Sequence, residues 1–249
     1  MEKTRTLYIK ALGEIQATSE LSLEEKGYSH SEKANSLIFS NPLAFVIGLI
    51  FDQSIQSRLA WEAPLVLQER LGHLDAQKIA SMNEEDLKLV IAAKKALHRY
   101  PGNMARYLIA SCSVLVSEFD VQAENLWKGD QTVAIARKNF LKLSGIGEKK
   151  ANLAVLMLAR DFGILFTDIG SLPLALDVHL KRVLSRSGLF DTDTKDGLRN
   201  LHDCLQVDYP RFPALLGTAL WSVGRHFCHE SSPQCDTCPL NQTCLRRLA

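Results

Sequence analysis

The 249-residue sequence contains no long hydrophobic run. Its longest uncharged apolar stretch, Pro42 to Phe51, is ten residues, about half of what a bilayer-crossing helix needs. Net charge is nearly absent as well. The 29 Lys and Arg oppose 28 Asp and Glu, leaving +1, so any basic surface must be local. The segment Met1 to Gln16 carries Glu2, Lys3, Arg5, Lys10 and Glu14 with no apolar block, which argues against a secretory leader and sets the expectation of an intracellular protein without a membrane partner. Internal repeats and low-complexity tracts are missing. With 46% hydrophobic and 23% charged residues, the chain is neither disordered nor collagen-like. Alternating apolar and polar runs of strand length are almost absent too, which leaves an all-α fold.

What is present reads as a series of helices. Asn41 caps and Pro42 opens an apolar segment expected to run towards Leu59. A second helix is expected from about Pro64 to Gly72 and a short third over 75–82. Asn83 is a cap candidate, with Glu84, Glu85 and Asp86 complementing the dipole of the following turn. Pro101-Gly102 breaks the chain before a helix over 103–118. Further helices are expected over 132–143, 148–160, 177–187, 195–207 and 213–227. His98, Arg99 and Tyr100, before the Pro101-Gly102 turn, read as two surface bases and a packed aromatic, with the lining of a pocket as the other reading.

Six cysteines occur, and four of them, Cys228, Cys235, Cys238 and Cys244, form a C-x6-C-x2-C-x5-C run near the C-terminus. A disulfide framework is one reading, though the chain is long enough to build its own core. Zinc is a second, but it favours two tight Cys pairs and this run has one. An iron–sulfur cubane accepts the uneven spacing and is the third.

The stretch Phe140 to Asn152 places the tight turn Gly145-Ile146-Gly147 between two helices. The second helix starts with backbone N–H groups that lack helical partners, an arrangement that holds a phosphate without reading a base. From Lys128 to Lys150, six bases (Lys128, Arg137, Lys138, Lys142, Lys149, Lys150) against Asp130 and Glu148 give a net +4. Residues 151–159 are apolar almost all round and expected to be buried. Lys149 and Lys150 would then sit in the first turn of a buried helix, where dipole, neighbouring cation and partial burial would lower an amine's proton affinity and make it a usable nucleophile. A phosphate-binding or solvent-facing lysine pair is the other reading.

These features together resemble the helix-hairpin-helix DNA glycosylases of the HhH-GPD superfamily, in particular the endonuclease III-like branch. The resemblance is carried by Leu143 to Gly147, by Lys149 two residues further on, by Leu176-Asp177-Val178-His179, by the 6-2-5 cysteine spacing and by the segment Asn41 to Gln53. It implies a two-lobed fold: a six-helix barrel over 41–160 containing the hairpin at about 140–152, and a terminal lobe of 1–40 with 161–249 that carries the cysteine loop 228–244. It implies a monomer acting on double-stranded DNA, from which a damaged or modified nucleotide is flipped. Lys149 would form a Schiff base with the sugar and lead to β-elimination, and Asp177 would be the catalytic carboxylate. Gly145, Ile146, Gly147 and Lys150 would contact DNA, and Gln53 would enter the gap left by the flipped base. Cys228, Cys235, Cys238 and Cys244 would hold a [4Fe–4S] cluster. The sequence departs from the family pattern in three places. Lys150 replaces a hydroxyl residue, the connector 164–176 is long, and the loop 229–234 lacks bases, for which Arg246 and Arg247 partly compensate. Two further readings remain: a monofunctional glycosylase in which Asp177 activates water, and a non-catalytic DNA-binding protein that uses the hairpin as a phosphate clamp.

Overall fold

A computed structural model describes residues 2–18, 28–129 and 131–246. Arg247 and Asp130 lie outside the described residues. Among the described residues the structure is all-α, as the periodicity implies, with twelve α-helices and no strand. No single helix among them is long and apolar enough to cross a membrane. The chain divides into two compact units, one of Met1–Glu20 with Val155–Ala249, the other of Leu21–Ala154. Residues 28–40 of the expected terminal lobe therefore fall in the second unit.

The 21–154 unit contains α2 (Glu32–Ser40), α3 (Pro42–Phe51), α4 (Ser57–Leu71), α5 (Ala76–Ala80), α6 (Glu84–Ala92), α7 (Pro101–Glu118), α8 (Val133–Leu141) and the start of α9 (Glu148–Asp161). The Asn41 side chain caps α3 by accepting from the Leu43 and Ala44 amides at 2.9 and 3.2 Å, and Pro42 supplies the preset first-turn φ. Every residue of α3 from Leu43 to Phe51 is buried, which makes it the central helix of this unit. Phe45 packs against Trp61 and Trp127, each with ring centroids 5.7 Å away.

Two expected boundaries are corrected. The helix opened by Pro42 stops at Phe51, because Asp52 leaves helical geometry at φ −72°, ψ 69°. Pro64 lies inside α4 and does not start it. A proline there removes only the amide that would bond the Ala60 carbonyl, and its ring is buried in the core. Packing decided both.

The other unit consists of α1 (Glu2–Thr18), the end of α9, α10 (Val178–Ser187), α11 (Lys195–Asp208) and α12 (Leu216–His226). Tyr8, Ile9 and Leu12 of α1 join Leu180, Val183 and Leu184 of α10, Leu201 and Leu205 of α11, and Leu220 and Val223 of α12 in one core. Helices α10 and α12 approach closely where Gly224 faces His179. A Cβ on Gly224 would stand 2.8 Å from that of His179.

Candidate active site and cysteine centre

The hairpin is built by α8, a six-residue turn and α9. Thr132 caps α8 by accepting from the Ile135 amide at 3.2 Å. Leu143 and Ile146 are buried and anchor the turn to the core. Gly145 has φ +80°, and a Cβ there would meet the Tyr107 ring at 2.8 Å, so glycine is required twice over at this position. Gly147 has neither constraint. The Ile146 amide bonds the Leu143 carbonyl at 3.3 Å, and the Gly147 carbonyl takes the Ala151 amide at 2.9 Å. That leaves the first-turn amides of α9 as donors without helical partners.

The local charge is smaller at the surface than in the sequence. Arg137 pairs with Glu148 and also donates to the Asn152 side chain at 2.5 Å. Lys142 pairs with Glu118 at 2.6 Å.

The two adjacent lysines diverge. Lys149 is exposed, while Lys150 is 9% exposed and its Nζ donates to the Ile50 carbonyl at 2.9 Å. Burial lowers the Lys150 pKa from 10.5 to about 8, against a raising contribution from Asp52, with Lys149 adding to the lowering. Lys150 is thus an amine of lowered proton affinity in this turn. Burial is the larger cause, because losing hydration penalises the ammonium.

Gln53 shares this neighbourhood. Its Nε2 donates to the same Ile50 carbonyl at 2.7 Å, which folds the side chain back onto the end of α3. The Gln53 carbonyl bonds Nε2 of His98 at 2.8 Å, and Nδ1 of His98 accepts the Tyr100 amide at 3.0 Å. His98 is buried at 3% exposure, so it is a core histidine and not the surface base expected. Burial lowers its pKa, which keeps the ring neutral and consistent with an accepting Nδ1.

Asp177 belongs to the other unit, as the N-cap of α10. Its Oδ1 accepts from the His179 and Leu180 amides, both at 2.9 Å. One carboxylate oxygen is thereby fixed by backbone, and the residue remains partly exposed. The cap thus orients the carboxylate.

Cys228, Cys235, Cys238 and Cys244 all carry free thiols, which removes the disulfide reading. All four line one cavity, together with Tyr8 and Arg186. Among the described residues no three Cys, His, Asp or Glu side chains converge on a single ion; the thiols surround a space. Burial raises the pKa of Cys238 and Cys244, and the other cysteines add to the rise. Four thiolates here need positive charge among them, and a donor set of this kind fits an inorganic iron–sulfur group. Tyr8 is fully buried beside the thiols, and its hydroxyl has no hydrogen-bond partner.

Sequence reasoning missed the residues that hold this loop. On α10, Arg182 donates to the Cys228 carbonyl at 2.6 Å and to the Gly224 carbonyl at 2.9 Å. Arg186 donates to the His229 carbonyl at 2.5 Å and the Glu230 carbonyl at 2.8 Å. The i, i+4 spacing of two arginines after Asp177 was the available signal. Arg246 pairs with Asp236 at 3.0 Å.

Residues 47–203 match the model of the HhH-GPD superfamily base excision DNA repair proteins. Endonuclease III of Rickettsia conorii is 29% identical over 170 residues, 68% of each chain. Endonuclease III of Rickettsia felis is 26% identical over 170 residues, 68% of this chain and 67% of its own. Among solved structures, a trapped endonuclease III–DNA covalent intermediate superposes with a TM-score of 0.69 at 19% identity, covering 99% of this chain and 96% of the other. A thermostable thymine-DNA glycosylase gives 0.67 at 13% identity, covering 98% and 96%. With a family model spanning more than half its length, hairpin included, the chain belongs to the HhH-GPD superfamily of base excision DNA repair proteins and is an enzyme of the DNA glycosylase class.

Proposed function

We propose that this glycosylase is bifunctional, removing a damaged or modified base from double-stranded DNA inside the cell and then cleaving the strand as a lyase. The observation that carries the reading is the exposed Lys149, one turn or less from the Gly145–Gly147 hairpin, in a helix start whose amides suit a phosphate. The hairpin amides hold the backbone of the duplex while the nucleotide is flipped. The Lys149 amine attacks the sugar's anomeric carbon, the glycosidic bond breaks, and the base leaves with its electron pair and takes a proton. The amine then loses a proton, the C1′–O4′ bond of the sugar ring breaks with O4′ taking a proton, and the ring-opened iminium acidifies the neighbouring carbon. Loss of a proton there expels the 3′ phosphate, and water hydrolyses the iminium to free the lysine. Asp177, oriented by its cap bonds, stabilises the positive charge that develops on the sugar. Gln53 reaches the gap in the duplex by releasing the Ile50 carbonyl. Cys228, Cys235, Cys238 and Cys244 hold a [4Fe–4S] cluster, which supplies a structural cross-link for the loop. The four free thiols around one cavity support that assignment.

A second reading makes Lys150 the reactive amine, favoured by its pKa of about 8. Its burial and its bond to the Ile50 carbonyl favour the exposed Lys149 over it. Borohydride trapping on duplex DNA with an abasic site separates the two. Lys149→Ala is expected to abolish trapping and Lys150→Ala to retain it. The opposite result moves the nucleophile by one position. Loss of neither, with base release still falling a few hundred-fold in Asp177→Asn, makes the enzyme monofunctional with water as nucleophile.

A further inference from the structure

Tyr8 is the one member of the α1 core face that carries a polar atom; its neighbours there, Ile9 and Leu12, are apolar. The ring is 0% exposed and its hydroxyl makes no hydrogen bond. A phenylalanine would fill the same volume without leaving a buried polar group unsatisfied. The Ser187 hydroxyl, which donates to the Leu184 carbonyl at 2.5 Å and accepts the Leu189 amide at 3.2 Å, keeps one lone pair near Tyr8 but makes no bond of full hydrogen-bond geometry with it. Tyr8 instead lines the cavity around which the four cysteines stand. Two other donors already reach these sulfurs. Arg186 reaches Cys228 Sγ at only 3.7 Å while bonding the His229 carbonyl, and the Arg246 amide meets Cys244 Sγ at 3.4 Å.

We propose that the Tyr8 hydroxyl is a hydrogen-bond donor to the inorganic group held by Cys228, Cys235, Cys238 and Cys244, so that the N-terminal helix tunes the reduction potential of that group and is docked by it. The proposal rests on the iron–sulfur reading given above. A donor to a cluster or ligand sulfur favours the more negative, reduced state, because added negative charge strengthens the bond. The phenol is the only donor that α1 brings to the cavity among the described residues.

The test uses the iron-loaded, full-length protein. Iron content and visible absorption of the wild type are measured first; absence of iron overturns the cluster reading and with it this one. With iron present, Tyr8→Phe at equal iron content is expected to destabilise the reduced state about tenfold, a shift of ~59 mV to more negative potential for one electron. Iron–sulfur stretching bands in the resonance Raman spectrum are expected to shift in D2O for the wild type and less so for Tyr8→Phe. If Tyr8→Phe fails to hold iron, 3-fluorotyrosine at position 8 keeps the shape and strengthens the donor, and the potential is then expected to rise. Unchanged potential and unchanged isotope shift at full iron occupancy overturn the proposal, leaving the hydroxyl bonded to water or to nothing.

Discussion

The hairpin and the cysteine loop are both irregular segments joined to helices, yet they are held in different ways. The hairpin is fixed mainly by its own residues: Gly145 adopts the left-handed turn, and Leu143 and Ile146 sink into the core beneath it. The cysteine loop is fixed from outside. Two arginines of α10 hold its carbonyls, and Tyr8, more than two hundred residues earlier, closes its cavity. A segment held by local geometry keeps its shape without a ligand. One held around half-buried thiols that repel one another as thiolates would depend on the proposed cluster to neutralise them. Helix α10 joins the loop to the proposed catalytic carboxylate, since Asp177 caps its start and both loop-holding arginines lie further along.

The largest expected effect comes from breaking the externally held segment. Cys238→Ser should abolish iron–sulfur absorption and destabilise the Val155–Ala249 unit by on the order of several kcal/mol. Hydrogen exchange should then rise in α1, α10 and α12 while α3 and α4 stay protected. Equal loss of protection in both units would mean that the loop supports the whole chain.

The next effect concerns the buried amine under the hairpin. Lys150 titrates near 8 in the folded protein against 10.5 ordinarily. Between those values the unfolded chain binds the extra proton, so stability rises with pH there. The stability of the wild type minus that of Lys150→Met should climb from about pH 8 to 10.5, by at most ~1.4 kcal/mol per pH unit, and be flat below. A flat difference throughout would show that Lys150 is more hydrated than its bond to Ile50 implies. Denaturant melts across that range provide the measurement.

The smallest effect sharpens the hairpin itself. Gly145→Ala should cost about 2 kcal/mol, from the left-handed backbone and the close Tyr107 ring. Gly147→Ala should change stability by less than ~0.5 kcal/mol, since nothing lies within 4 Å of its added Cβ. Equal costs would mean that the turn rearranges, and that the strain is shared between the two glycines.

The chain's pattern of residues determined much of this by itself. Asn41-Pro42, Thr132 and Asp177 are caps that the local sequence specifies, because a side-chain oxygen two or three residues before a helical amide has few other options. The all-α class, the hairpin and the grouping of four cysteines were equally legible, since each depends on neighbours within a few residues. Tertiary structure decided the rest. It buried Lys150 and exposed Lys149, although the two stand side by side in one helical turn and carry the same charge. It put His98 in the core, ran α4 straight through Pro64, and brought Tyr8 to the cysteines. Desolvation and long-range packing set those outcomes, and neither is encoded in any window of adjacent residues.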